Sequence, residues 1–200
     1  MVKGAAGHME EDEERMVKTP WFDHEIPFTQ AAEIGTRKVI SDHSTIGIVV
    51  TTDGSFGEIP RENYIEAEEK TVQELKKLRK PFVILLNTEK PFSEETGRMA
   101  SELQDKYGVA VLPVNCEQLK REDIYHILEN VLYEFPLSVV EFYLPGWVEM
   151  LPVTHPVKAE IVEQAANLVK DMNTIRDVLN SPMEMDSQYI KRCKMDGIHM

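Results

Sequence analysis

Three short runs of apolar residues punctuate the middle of this chain, each followed by a stretch with helical periodicity. Ile46 to Thr51 (IGIVVT), Pro81 to Leu86 (PFVILL) and Val109 to Val114 (VAVLPV) are continuous and rich in β-branched residues. Such runs predict strands buried on both faces. Arg61 to Arg79 places Ile65, Val72, Leu75 and Leu78 near the helical repeat, with acids early and bases late, the order a helix dipole favours. Ser93 opens a second helix, with Glu94 and Glu95 in its first turn and Gly108 after Tyr107, a start and stop signature. Glu122 to Tyr133 predicts a third, with Ile124, Ile127, Leu128, Val131 and Leu132 on one face. The order β-α-β-α-β-α predicts an α/β fold: a parallel sheet with right-handed crossovers and helices on both sides.

The flanks read differently. Residues 1 to 44 lack clean periodicity, and TPWFDHEIPF, with two prolines and three aromatics, predicts an irregular segment packed on a core. There Trp21, Phe22 and Phe28 are expected to pack between helices and sheet, with pocket lining the alternative. Beyond Pro136, Val139 to Val148 predicts a strand broken by Pro145-Gly146, and Val157 to Leu179 one long helix. Its stripe of Ile161, Ala165, Leu168, Met172, Ile175 and Leu179 is expected to cover a sheet of its own domain, an intermolecular coiled coil being the alternative. A boundary near Pro136 thus gives two domains, 1–135 and 136–200, the second expected to begin another α/β domain.

Composition narrows the function classes. The 200 residues are 42% hydrophobic and 28% charged, and no apolar run approaches a membrane span. A net charge of -13 repels phosphate backbones and anionic headgroups, so neither nucleic acid nor direct membrane insertion is expected. The acidic run Glu10 to Glu14 reads as a solvated loop or helix start. The two cysteines, Cys116 and Cys193, suggest no disulfide framework and fit a reducing cytoplasm. No signal peptide is visible, and both ends read as cut.

In a doubly wound sheet, ligands bind beyond the carboxyl ends of the strands. Those ends are Thr51-Thr52-Asp53-Gly54, Asn87-Thr88-Glu89-Lys90 and Val114-Asn115-Cys116. The last two resemble base recognition in GTPases, where an Asn-Lys-x-Asp loop reads guanine and a turn after the next strand closes over it. Here Lys90 stands in the position of the aspartate. A carboxylate accepts the two hydrogen bonds guanine donates from one edge, whereas an ammonium only donates. Guanine selectivity should be lost and adenine favoured; spacing alone leaves open whether Asn87 and Lys90 merely cap a strand.

Other constellations carry less. No Gly-x-x-x-x-Gly-Lys-Ser/Thr occurs among the ten glycines, and Gly4 to Gly7 and Gly54 to Gly57 read as plain turns. Ser41-Asp42-His43 are sequence neighbours and cannot form a catalytic relay. The six histidines show no zinc spacing, and Cys116 reads as a quiet core thiol.

The segments MVKGAAGHMEEDEERMVKTPWFDHEIPF, HSTIGIVVTTDGSFGEIPRENYIEAEE, KPFVILLNTEKP and VEFYLPGWVEMLP resemble the stage IV sporulation protein A family, the spore-coat morphogenetic ATPases, over essentially the whole chain. The resemblance implies the back part of a P-loop NTPase domain, related to translation-factor GTPases but using ATP and magnesium, followed by the start of a middle domain. It implies that the phosphate loop, switch threonines and metal-associated aspartate lie upstream of Met1, so this piece is expected to hydrolyse nothing alone. It also implies that the phosphate-loop strand lies beside Ile46 to Thr51, whose edge should be exposed without it. The base-side positions that carry over are Asn87, Thr88, Glu89 and Lys90, with Val114, Asn115 and Cys116 as a second loop. Hydrolysis would drive self-assembly into the basement layer of the spore coat, on the mother-cell side of the forespore. The partners would be further copies, coat proteins and a small amphipathic recruiting protein. The alternative is a non-catalytic scaffold module making subunit contacts.

Overall fold

The computed structural model describes residues 2–5, 9, 10 and 13–198. Of the acidic run, Glu11 and Asp12 lie outside the described residues, as does Gly7 of the first glycine turn. The chain divides into two compact units, residues 1–134 and 135–200.

The first unit opens with two short antiparallel pairs, β1 (Met9–Glu10) with β2 (Glu13–Glu14) and β3 (Met16–Val17) with β4 (Ile26–Pro27). Helix α1 (Phe28–Lys38) and a π-type turn (Val39–His43) follow. Residues 19–25 of TPWFDHEIPF are irregular, as expected, and α1 starts at its last residue; α1 buries no residue fully, so it writes no apolar stripe into the sequence. Trp21 and Phe22 do not pack between helices and sheet. Both are exposed, with Trp21 lying against Gly35, where an added Cβ would come within 3.2 Å of its ring, and Lys38 Nζ 5.9 Å from its centroid.

The expected sheet is present. Strands β5 (Gly47–Thr52), β6 (Phe82–Asn87) and β7 (Val111–Val114) run parallel in that spatial order. They are joined by α2 (Glu62–Lys77) and α3 (Glu94–Tyr107), and α4 (Arg121–Tyr133) follows β7. The central strand β6 is almost wholly buried, with Val83, Ile84 and Leu86 at 0% exposure. Each such side chain contributes roughly 1.5–3 kcal/mol by leaving water. On one face Val49, Ile84, Leu86 and Val111 pack with Val72 and Leu75 of α2 and Ala100, Leu103 and Tyr107 of α3. Alternation along β6 turns Val83 and Leu85 to the opposite face, which α4 covers with Ile127 and Val131.

That second cover is partial. On β5, Ile48 and Val50 are 44% and 59% exposed, and among the described residues β5 is hydrogen-bonded to β6 only, so it is an edge strand with two exposed apolar side chains. Ile124, Leu128 and Leu132, spaced four apart on α4 and expected in the core, are exposed as well. So are Ile65 and Leu78 of α2, whose buried face instead carries Glu68 with Val72 and Leu75.

Helix α3 begins and ends as its sequence dictates. Ser93 Oγ accepts from Thr96 N at 3.2 Å, and Gly108 adopts φ +62°, its N–H donating to Gln104 O at 2.7 Å.

The second unit departs further from expectation. Leu137 N still donates to Asn173 O at 2.9 Å, but residues 138–144 form no strand, although Val139, Val140, Phe142 and Tyr143 favour one; a strand needs a ladder partner, and among the described residues no backbone bond reaches this segment. Expected to be α/β, the unit carries helices and a single bridge, Pro136 to Thr174. They are α5 (Gly146–Glu149), α6 (Pro156–Val169) and α7 (Ile175–Asn180). The single long helix expected from Val157 to Leu179 is broken at residues 170–174, and among the described residues of this unit there is no sheet for its stripe to cover. The break has a local cause. Thr174 Oγ1 accepts from Asp177 N at 3.4 Å, while Asp177 Oδ2 accepts from Thr174 N and Asn173 N at 2.8 Å each. This reciprocal cap starts α7 afresh.

Candidate functional site

Parallel pairing in register sets all three carboxyl tips at one end of the sheet. Thr52 of β5 pairs with Asn87 of β6, and Asn87 with Val114 of β7. The pairing extends past the strand ends, since Asp53 N donates to Asn87 O at 3.4 Å and Thr88 N to Val114 O at 2.9 Å.

Side chains then stitch the tips together. Asn87 Oδ1 accepts from Cys116 N at 2.9 Å, tying the second loop to the third. That engages one lone pair of its carbonyl oxygen and fixes the side chain, and its amide N–H donors suit the N7 acceptor common to both purines. Discrimination between bases would have to come from elsewhere. Asn115 Oδ1 accepts from Glu117 N at 3.1 Å and so caps the short turn Cys116–Gln118. The Cys116 thiol is half-buried, and burial raises its pKa, as suits a quiet thiol rather than a nucleophile.

Thr88 is buried at 1% exposure and donates to Asp53 Oδ2 at 2.5 Å, while its Oγ1 accepts from Lys90 N at 3.2 Å. Asp53 Oδ1 accepts from Ser55 Oγ at 2.6 Å and Ser55 N at 2.9 Å, and Ser55 Oγ accepts from Glu89 N at 3.0 Å. Partial burial opposes the Asp53 charge, but the bonds from Ser55 and Thr88 outweigh it and hold the pKa below the ordinary aspartate value. Glu89 and Lys90 extend their side chains to solvent, and Phe92, two residues on, is 99% exposed.

All seven residues singled out in the sequence therefore lie at one end of the sheet, with Asn87 joined to Cys116 and Thr88 to Lys90. Asp53 and Ser55 were passed over, although their tip had been identified. The pattern Asp-Gly-Ser after a strand was the available signal, since aspartate bonds back to the backbone two residues on. Gly54 makes the turn possible: its φ is +89°, and an added Cβ would lie 3.1 Å from Arg61 N.

Beneath the tips, a polar cluster is buried in the apolar face. Glu68 Oε2 accepts from Thr51 Oγ1 at 2.5 Å and lies 2.7 Å from Arg61 Nη2, while Glu68 Oε1 accepts from Tyr107 OH at 2.7 Å. Arg61 Nη1 also donates to Thr51 Oγ1 at 3.0 Å. Arg61 thereby pins the far end of the loop that begins at Asp53. No sequence pattern announced this cluster, because its members lie on a strand, a loop and two helices.

Against known proteins, residues 1–136 match the family model described as stage IV sporulation protein A, ATPase domain, and residues 137–200 match its middle domain. The chain belongs to the stage IV sporulation protein A family. Its relatives of that name include one from Clostridioides difficile (strain 630), 50% identical over 178 residues, covering 89% of this chain and 36% of the relative. Another, from Bacillus anthracis, is 43% identical over 200 residues, covering 100% of this chain and 41% of the relative. A third, from Bacillus subtilis (strain 168), is 45% identical over 177 residues, covering 88% and 36% respectively. The chain thus spans 36% to 41% of the length of these stage IV sporulation protein A relatives. No solved structure matches it.

Membership in this sporulation family brings an ATPase-domain description to the sheet unit. Among the described residues, no helix is long and apolar enough to cross a membrane. Among the described residues no three His, Cys, Asp or Glu could hold a metal, and the Asp53 carboxylate is engaged by Ser55 and Thr88.

Proposed function

We propose that the first unit is the base-side part of a P-loop ATPase, and that the whole protein hydrolyses ATP to drive its own polymerisation into the basement layer of the spore coat. The observation that carries the nucleotide reading is the tie between Asn87 Oδ1 and Cys116 N, which joins two strand tips into one concerted rim. Around that rim Asn87 offers a donor, and exposed Lys90 stands where a guanine reader needs an acceptor. Magnesium and the phosphate-binding residues belong, on this reading, to other parts of the full-length protein. Second copies of the same protein are its first partners, and coat proteins and a membrane-recruiting peptide its further ones.

The test uses the intact protein at the length of its relatives. ATP is expected to bind more tightly than GTP and to convert soluble protein into a pelletable polymer. Lys90→Asp is expected to shift the preference toward GTP by about tenfold, a gain of roughly one charge-assisted hydrogen bond. Equal binding of ATP and GTP would remove the base reading, and assembly indifferent to ATP would favour a scaffold without catalysis.

A further inference from the structure

Two backbone N–H groups of the candidate base loop, those of Glu89 and Lys90, end on hydroxyl oxygens: Ser55 Oγ at 3.0 Å and Thr88 Oγ1 at 3.2 Å. Each of those hydroxyls spends its own hydrogen on one group, the Asp53 carboxylate, at 2.6 and 2.5 Å. A hydroxyl has a single hydrogen and two lone pairs. Once the hydrogen points at Asp53, the lone pairs are left facing the two N–H groups. One carboxylate thus sets the direction of both hydroxyls, and through them the backbone from Thr88 to Lys90.

The geometry points to Asp53, with Ser55, as a positioning residue that holds the Thr88–Lys90 loop in its base-facing conformation. This rests on the base-side reading of that loop and assigns control of it to a neighbouring loop. Glu89 and Lys90 are exposed; Thr88 Oγ1 and the bond from Ser93 N to Lys90 O hold the Lys90 side locally, whereas the Glu89 N–H is held from the neighbouring loop by Ser55 Oγ. Asp53 is in turn held from behind. Its loop returns at Arg61, whose guanidinium is anchored on Glu68 and Thr51.

An acceptor-only carboxylate is required. In Asp53→Asn, one side-chain position becomes a donor, so one hydroxyl loses the acceptor for its hydrogen and is no longer turned toward Glu89 N or Lys90 N by this group. The volume hardly changes, and the altered group lies at the loop rather than in the apolar core.

The experiment measures the affinity of the intact protein for ATP and for inorganic tripolyphosphate, which has no base. Asp53→Asn is expected to weaken ATP binding about tenfold while leaving tripolyphosphate within about twofold, since the loss falls on the base alone. In turnover the same variant is expected to raise KM with kcat unchanged, because base contacts are equal in ground and transition states. Ser55→Ala, at an exposed position that cannot unfold the core, is expected to weaken ATP about threefold in the same direction. Unchanged ATP affinity in both Asp53→Asn and Ser55→Ala, or equal losses for ATP and tripolyphosphate, would overturn the inference and leave the base-side reading standing. Wild-type protein that binds tripolyphosphate no less tightly than ATP would overturn both.

Discussion

Arg61 and Glu68 meet 2.7 Å apart, Nη2 to Oε2, in a pocket where the Glu68 side chain retains only 2% of its exposure. Arg61 precedes α2 as its N-cap and Glu68 lies within it, and the pair faces Thr51 and Tyr107, so it fastens strand, loop and two helices at a single point. A buried pair of this kind gains little over a well-packed apolar substitute, but removing one partner strands the other.

Glu68→Ala is accordingly expected to destabilise the first unit by about 3–5 kcal/mol, read as a lower urea midpoint. Glu68→Gln keeps the shape and one acceptor and is expected to cost about 1–3 kcal/mol. A loss below 1 kcal/mol for the alanine variant would mean that the pair is solvated in solution.

Tyr107 supplies a pH dependence. Burial, then the hydrogen bond and the charge of Glu68, push its phenol up to about 12 from the ordinary 10.0. A group whose folded pKa is raised gives stability that is complete below the unfolded value and lost as pH climbs toward the folded one. The first unit should therefore lose on the order of 2–3 kcal/mol between roughly pH 10 and 12, and Tyr107→Phe should remove that component. Ultraviolet titration of the phenolate reads the same group directly; ionisation near the ordinary value would refute the assignment.

The uncovered flank of β5 predicts behaviour outside the full-length protein. Residues 1–200 expressed alone should self-associate or be marginally stable and show no ATP turnover. Ile48→Lys together with Val50→Lys should reduce association, since charge on an edge strand is how sheets resist pairing. Sedimentation decides the matter, and a soluble, cooperatively unfolding monomer without these changes would count against it.

The reciprocal cap at Thr174 and Asp177 is expected to contribute about 1 kcal/mol, so Thr174→Ala should lower the stability of the second unit by that amount. Hydrogen exchange along α7 should quicken before that of α6. Uniform behaviour of the two helices would instead indicate one continuous element.

The strands β5, β6 and β7, the helices between them and the cap pair Ser93 and Gly108 were legible because each is written locally, as an apolar run or a start and stop signal. Helix α1 was not, since it buries nothing fully, and the break before α7 was not, since the stripe of apolar residues runs through it. Of the site, the sequence named the tips and the residues Asn87 to Lys90. It named Asp53 at a strand tip but not its bond to Thr88, which lies 35 residues away in another loop.

By itself, then, the sequence determined a parallel α/β sheet, its loops and its family, because periodicity and long specific strings survive without coordinates. Only the tertiary structure decided that Asp53 is bonded to Thr88 of the loop after β6, that Glu68 is buried beneath the tips, and that residues 138–144 find no backbone partner among the described residues. Each depends on groups far apart in the chain being brought within hydrogen-bonding distance, or on no partner being there, and neither leaves a mark on the local pattern.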